Sequence, residues 1–147
     1  MDRNFQIFEI PKKIIPSLEN ENNWFIYDDE CKRREVYTEN ILNDIINCID
    51  YKMNLEENKL TIHHVVYNLK YKNYELEKHR DASKYTIIIY LERDEAIKDS
   101  FYVNDVLVDD YVPKNDNYKG IIFWDNAYHH GTFKGNGNRE VLCFFLD

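Results

Sequence analysis

Hydrophobic and polar positions change their period partway along this chain. Ile41, Leu42, Ile45, Ile46 and Ile49 fall at i, i+1, i+4, i+5 and i+8, one face at helical spacing, with Thr38 placed to cap the start. This predicts a supporting helix within about residues 36–55. From about residue 60 onward the period becomes two. Leu60–Leu69 alternates, with Val65, Tyr67 and Leu69 on one face. Tyr85–Leu91 (YTIIIYL) is a near-continuous apolar run, as in a strand buried on both sides. Phe101–Val108 (FYVNDVLV) reads as a hairpin turning at Asn104-Asp105, and GIIFW at 120–124 and EVLCFFL at 140–146 complete the set. Before the helix, NFQIFEI at 4–10 reads as a first strand, and Pro11 and Pro16 interrupt regular structure. Ser17 opens a short helical turn, and Trp24-Phe25-Ile26-Tyr27 reads as another strand. No linker or repeat divides the chain, so residues 1–147 are expected to form one domain. Strands following a helical start, with no helices between them, predict a mainly β fold with an N-terminal helix, built as an antiparallel sandwich or barrel.

Composition narrows the classes. Hydrophobic residues make up 44% and aromatics 15% of 147 residues, enough for a core without staples and unlike a disordered chain. The net charge of -8 argues against a non-specific nucleic-acid binder, so no nucleic-acid partner is expected. Cys31, Cys48 and Cys143 are odd in number and widely spaced, which disfavours a disulfide framework or a zinc knuckle. Cys143 lies in an apolar run and reads as a buried hydrophobe. No stretch approaches the run of about 20 apolar residues that spans a bilayer, and the N-terminus has no apolar leader core. The expectation is an intracellular, soluble protein without a membrane partner.

Candidate chemistry lies in the second half. His63-His64 sits inside an alternating strand, so the two side chains point to opposite faces and read as packing and surface groups. His79 and Asp81 are different. At i and i+2 on an extended segment they share a face, and an imidazole beside a carboxylate makes two ligands for a divalent metal. After the GIIFW strand come His129-His130-Gly131 and then Arg139 at the start of the last strand. A third ligand from that segment would complete a two-His, one-carboxylate facial triad, which leaves positions open for a chelating co-substrate and O2. An Arg deep in the same barrel is costly unless an anion meets it, and a dicarboxylate can meet it through a bidentate fork. Fe(II), one carboxylate and one guanidinium sum to roughly +2, which matches a dianion.

In this combination the chain resembles the Fe(II)/2-oxoglutarate-dependent oxygenases, and within them the prolyl-hydroxylase-like group. The resemblance runs from about Tyr67 to Leu146. It rests on His79-Arg80-Asp81, then Thr86-Ile87-Ile88-Ile89-Tyr90-Leu91, then His129-His130-Gly131, then Gly137-Asn138-Arg139. It implies a double-stranded β-helix (jelly roll) at about residues 60–147, with His79, Asp81 and His129 as iron ligands. Arg139 and Tyr90 would bind the distal carboxylate of 2-oxoglutarate. Thr86 and Ile88, on the same strand face as Tyr90, and Tyr71 or Tyr67 would line the pocket. His130 is the competing ligand, and the His-x-Gly placement favours His129. The cofactors implied are Fe(II), 2-oxoglutarate and O2, with ascorbate as support. The expected partner is a peptide or protein substrate, with a peptidyl proline as first choice.

The pattern also departs from the family. A Gly-Gly-Glu stretch often follows the Tyr-Leu strand, whereas this chain has DEAIKDSFY at 94–102. Nucleic-acid demethylases of the family usually carry a second Arg six residues after the first, and position 145 here is Phe. The small-molecule enzymes show Arg-x-Ser, and this chain has Arg139-Glu140-Val141. Other classes give different readings. A non-catalytic jelly-roll binding or metal/2-oxoglutarate-sensing module would keep the fold without turnover. His79-Arg80-Asp81 also spells a protein-kinase tripeptide, but the Gly-rich loop, the DFG motif and the length for two lobes are all missing.

Overall fold

The computed structural model describes residues 4–15, 25–28, 31–35, 44–49, 62–70, 74–81, 83–93, 98–109, 116–124, 127–135 and 139–147. Eleven strands appear among them: β1 (Phe5–Pro11), β2 (Phe25–Asp28), β3 (Cys31–Glu35), β4 (Ile62–Lys70), β5 (Tyr74–His79), β6 (Tyr85–Arg93), β7 (Lys98–Val103), β8 (Val106–Asp109), β9 (Asn117–Trp124), β10 (His129–Lys134) and β11 (Arg139–Leu146). They form a seven-stranded sheet in the order β1-β9-β6-β11-β4-β3-β2 and a four-stranded sheet in the order β5-β10-β7-β8. Every recorded pairing is antiparallel. This mostly β, two-sheet architecture is a jelly roll, in agreement with the fold class that the sequence predicts.

The central strands β6, β9 and β11 of the larger sheet are apolar on both faces, which explains the unbroken run in β6. Ile87, Ile89 and Leu91 of β6, Ile122 of β9, and Leu142, Phe144 and Leu146 of β11 form one buried cluster with Phe8, Ile10, Ile15, Ile45 and Ile49. The alternate residues Ile88 and Tyr90, Ile121 and Phe123, and Val141 and Cys143 form a second cluster with Phe101 and Val103 of β7. That second cluster joins the two sheets and is the interior of the jelly roll. Side-chain alternation along β6, β9 and β11 therefore sorts residues into an outer core and an inner core. Gly120 of β9 lies opposite Phe8 of β1, and a Cβ built there would come within 2.4 Å of the Phe8 ring.

The supporting helix is corrected by the structure. Of the stretch expected at about 36–55, residues 44–49 are described, and they contain a single helical turn at 44–47. The N–H groups of Cys48 and Ile49 donate to the carbonyls of Ile45 and Ile46, both at 3.0 Å. These are three-residue closures, which tighten and end a helix. Ile45 and Ile49 are nonetheless buried against the outer face of the larger sheet, as their spacing predicts. Ile41, Leu42 and the Thr38 cap lie outside the described residues, as do Trp24 and Ser17. No described helix is long and apolar enough to cross a membrane.

The hairpin forms where the sequence places it. β7 and β8 pair directly across Asn104 (φ 49) and Asp105 (φ 61). Two consecutive left-handed residues make the tight turn whose twist suits a hairpin, and Asn and Asp tolerate that conformation better than other non-glycine residues. Beyond the expected strands, the structure adds β3, β5 and β10.

Candidate metal centre

β5 and β10 are neighbours in the smaller sheet, and their pairing sets His79 opposite His129. The register shifts between this pair and the next, Gly131 with Leu76. Two residues on β10 therefore span the same distance as three on β5. In an unbroken strand Leu76 and Lys78 would share a face. The bulge changes the parity. Leu76 packs on the inner core, Lys78 reaches the exposed Asp105, and His79 turns to the same side as His129. Asp81, just past the end of β5, joins them.

The three groups converge. One ligand atom from each of His79, Asp81 and His129 lies within 4.8 Å of the others. Oδ1 of Asp81 is 3.5 Å from Nε2 of His79 and 3.6 Å from Nε2 of His129. Donors that share one ion at the usual bond length of about 2.1 Å stand roughly 3 Å apart when adjacent. The cluster therefore needs only a small contraction to enclose a divalent cation.

Each ligand is oriented from behind. Nδ1–H of His79 donates to the Glu77 carbonyl at 2.7 Å, which turns Nε2 toward Asp81. Oδ2 of Asp81 accepts a 2.6 Å hydrogen bond from Oγ1 of Thr86, which leaves Oδ1 toward the histidines. His129 is 4% exposed, and its ring is wedged against Phe123 (4.8 Å), Phe101 (5.7 Å) and His79 (4.1 Å). Burial pushes its pKa down to about 4, against the pull of the Asp81 carboxylate. The imidazole is thus neutral at pH 7, the form that binds metals. Two imidazoles and one carboxylate fit an Fe(II)-type divalent ion with open positions, and they fit a sulfur-preferring metal poorly.

His130 takes the opposite face of β10. Its ring stacks on Tyr102 at 4.8 Å and 7°, and its Nε2 lies 3.3 Å from Asp105, at the hairpin turn. Tyr128 and Lys78 also hydrogen-bond Asp105, and together they hold its carboxyl below the usual range.

Other expected site residues line the inner face behind the triad. Tyr90 (2% exposed) and Ile88 (9%) lie in the inner core. Arg139, 3% exposed at the start of β11, sets its guanidinium carbon 5.3 Å from the centre of the Tyr90 ring. A cation stacked on an aromatic ring is held in place without losing its hydrogen-bond fork. Thr86 shares this strand face but bonds to Asp81. Tyr71 and Asn138 lie outside the described residues. A narrow cleft lined by Asp81, Ser83, Lys84, Thr86, Phe123, Trp124 and Ala127 opens beside the triad. Sequence reasoning had left out Ser83, Phe101 and the Glu77 carbonyl. Ser83 carries no motif, and a carbonyl carries no sequence signal at all.

Fold and cluster together define a jelly roll with a His-Asp-His candidate metal centre at one end of its smaller sheet. No family model and no curated protein matches this chain. Among solved structures it is similar to a 2OG-Fe(II) oxygenase family oxidoreductase from Burkholderia pseudomallei. The TM-score is 0.50 and the identity 13%, over 81% of this chain and 69% of that one. It also aligns with IDO from Bacillus thuringiensis at a TM-score of 0.45 and 10% identity, over 98% of this chain and 73% of that one, a level from which no shared fold follows. The first likeness shows the fold.

Proposed function

We propose that this protein is an Fe(II)- and 2-oxoglutarate-dependent dioxygenase that hydroxylates a peptidyl proline. The reaction converts 2-oxoglutarate and O2 to succinate and CO2 and inserts one oxygen atom into a C–H bond of the substrate. The observation that carries this reading is the convergence of His79, Asp81 and His129 from two separate segments, each with its ligand atom turned inward.

His79, Asp81 and His129 would hold the iron. When bound, the ion supplies the redox chemistry and a Lewis-acidic anchor for the 2-oxo acid. The chain's own residues do the rest. Arg139 and Tyr90 bind the distal carboxylate of the co-substrate, the guanidinium through a bidentate fork and the phenol through its hydroxyl. Ile88 and Val141 keep water from its carbon chain. Phe101 and Phe123 hold the His129 ring in one orientation. Ascorbate supports turnover by keeping the metal ferrous. The proline assignment rests on the order of motifs from His79 to Arg139, with Arg80 and the cleft beside Trp124 as the peptide-facing side.

Succinate formation from 2-oxoglutarate, with Fe(II) and ascorbate, tests the class without a known prime substrate. His79→Ala and His129→Ala are expected to abolish it, and His130→Ala to keep most of it. Equal loss in all three variants would remove the ligand assignment. No succinate from the wild type, together with no Mn(II)-dependent stabilisation, would return the protein to the non-catalytic binding module. A proline peptide library scored for the mass gain of one oxygen atom then tests the substrate.

A further inference from the structure

Thr86 was expected beside the co-substrate, yet its hydroxyl is committed elsewhere. A hydroxyl has one hydrogen to donate. At Thr86 that hydrogen goes to Oδ2 of Asp81 at 2.6 Å. Oγ of Ser83 lies 3.2 Å from Oγ1 of Thr86, and either could in principle donate. Because the Thr86 hydrogen is spent on the carboxylate, Ser83 must be the donor of that second bond. A directed chain results: Ser83 O–H to Thr86 Oγ1, and Thr86 O–H to Asp81 Oδ2. Thr86 is 3% exposed, so water competes little for these bonds.

The chain has a geometric consequence at the metal. A carboxylate can bind an ion through one oxygen or two. With Oδ2 engaged by Thr86, it is Oδ1 that lies 3.5 Å and 3.6 Å from Nε2 of the two histidines. We infer that Thr86, supported by Ser83, is a positioning residue that holds Asp81 to single-oxygen coordination and so keeps a metal position open for the co-substrate. The inference rests on the metal-centre reading above. It moves Thr86 from the co-substrate pocket to the support of a ligand. The sequence shows the pattern only as Asp81-x-Ser83-x-x-Thr86, the hydroxyls following the ligand through the turn into β6.

The test is Mn(II) binding to metal-stripped full-length protein, by calorimetry and by the spin resonance of the bound ion, so activity is not needed. Thr86→Val keeps the shape and removes the hydroxyl. It is expected to raise the Mn(II) Kd by about 10–100-fold, the usual effect of losing an outer-shell partner, and to change the spin-resonance signature of the site. Thr86→Ser keeps the hydroxyl and is expected to stay within about threefold of wild type, which a purely packing role of the Thr86 methyl would not allow. Ser83→Ala, at a half-buried position, is expected to weaken binding by a smaller factor. Should Thr86→Val fail to fold, Ser83→Ala and Thr86→Ser decide the matter. A folded Thr86→Val protein with wild-type Mn(II) affinity and signature would overturn the inference and leave the metal centre standing. A folded wild type that binds no Mn(II) would overturn both.

Discussion

At the scale of single residues, the site depends on what surrounds each ligand. His129 shows this through its titration. Its folded pKa is about 4, against an ordinary 6.5, chiefly because the ring is buried. A histidine whose folded pKa is depressed is protonated first in the unfolded chain. Above pH 6.5 both states are neutral and the group contributes nothing to the pH dependence. As the pH falls from about 6.5 to about 4, the unfolded state takes up a proton that the native state refuses, and stability is lost. Below about 4 this loss levels off. Metal-free protein should therefore lose up to about 3 kcal/mol over that window from this residue alone. Thermal melts of metal-free wild type and His129→Gln at steps between pH 7 and pH 4 check it, and the variant should show a flatter slope. The candidate ligands themselves were legible in the sequence. His79 and Asp81 sit two apart, and His129 precedes x-Gly and lies ten residues before Arg139. Their support was not legible, because Thr86 looks the same in sequence whether its hydroxyl faces a carboxylate or a co-substrate.

At the scale of elements, alternation predicts strands well where one face is apolar and poorly where it is not. β6, β9 and β11 announce themselves through Ile87–Ile89, Ile121–Phe123 and Val141–Phe144. β3 has the sequence CKRRE, and β10 has HHGTFK, with a glycine and two histidines in six residues. Neither shows an apolar period: β3 becomes a strand by pairing with β2 and β4, and β10 by pairing with β5 and β7, both distant in sequence. The inward turn of His79 is hidden for the same reason, since the bulge exists only in the register between β5 and β10. The expected helix is supported only in part: among the described residues 44–49 it is one turn, and Ile45 and Ile49 are the aliphatics of that stretch that are buried. The strands also give a direct test. Gly120 receives the Phe8 ring so closely that an added methyl must displace it, and Phe8 is 5% exposed in the outer core. Gly120→Ala should cost about 1–3 kcal/mol by overpacking. Denaturant melts should show a lower midpoint, while Mn(II) affinity stays near wild type, because the strain falls on the face turned away from the triad.

At the scale of the whole molecule, the larger sheet separates two jobs. Its outer face, with Phe8, Ile45, Ile122 and Phe144, holds the strands together, and its inner face carries Tyr90 and leads to Arg139. The triad takes residues from both sides of a long sequence gap, so the unfolded chain has no comparable site. A ligand that binds only the native state stabilises it by mass action. Mn(II) at a hundred times its Kd should add about 2.7 kcal/mol to the wild type and nothing measurable to His79→Ala. Thermal shift assays across a Mn(II) titration check this, and equal shifts in both proteins would point to binding elsewhere.

β5 stands at one end of the four-stranded order, and its last residue is His79, whose side chain is 41% exposed, whereas His129 is 4% exposed. One ligand is thus fixed by the core and another hangs on a terminal strand. A strand in that place is the first to fray. Seen as a matter of breathing rather than of coordination, the metal would be a clasp on this border. In its absence the backbone amides of Tyr74–His79 would exchange with solvent well ahead of those of β6 and β11. Filling the site would slow them selectively. The protein would then carry a record of its own loading state in the mobility of one short strand, readable without any substrate.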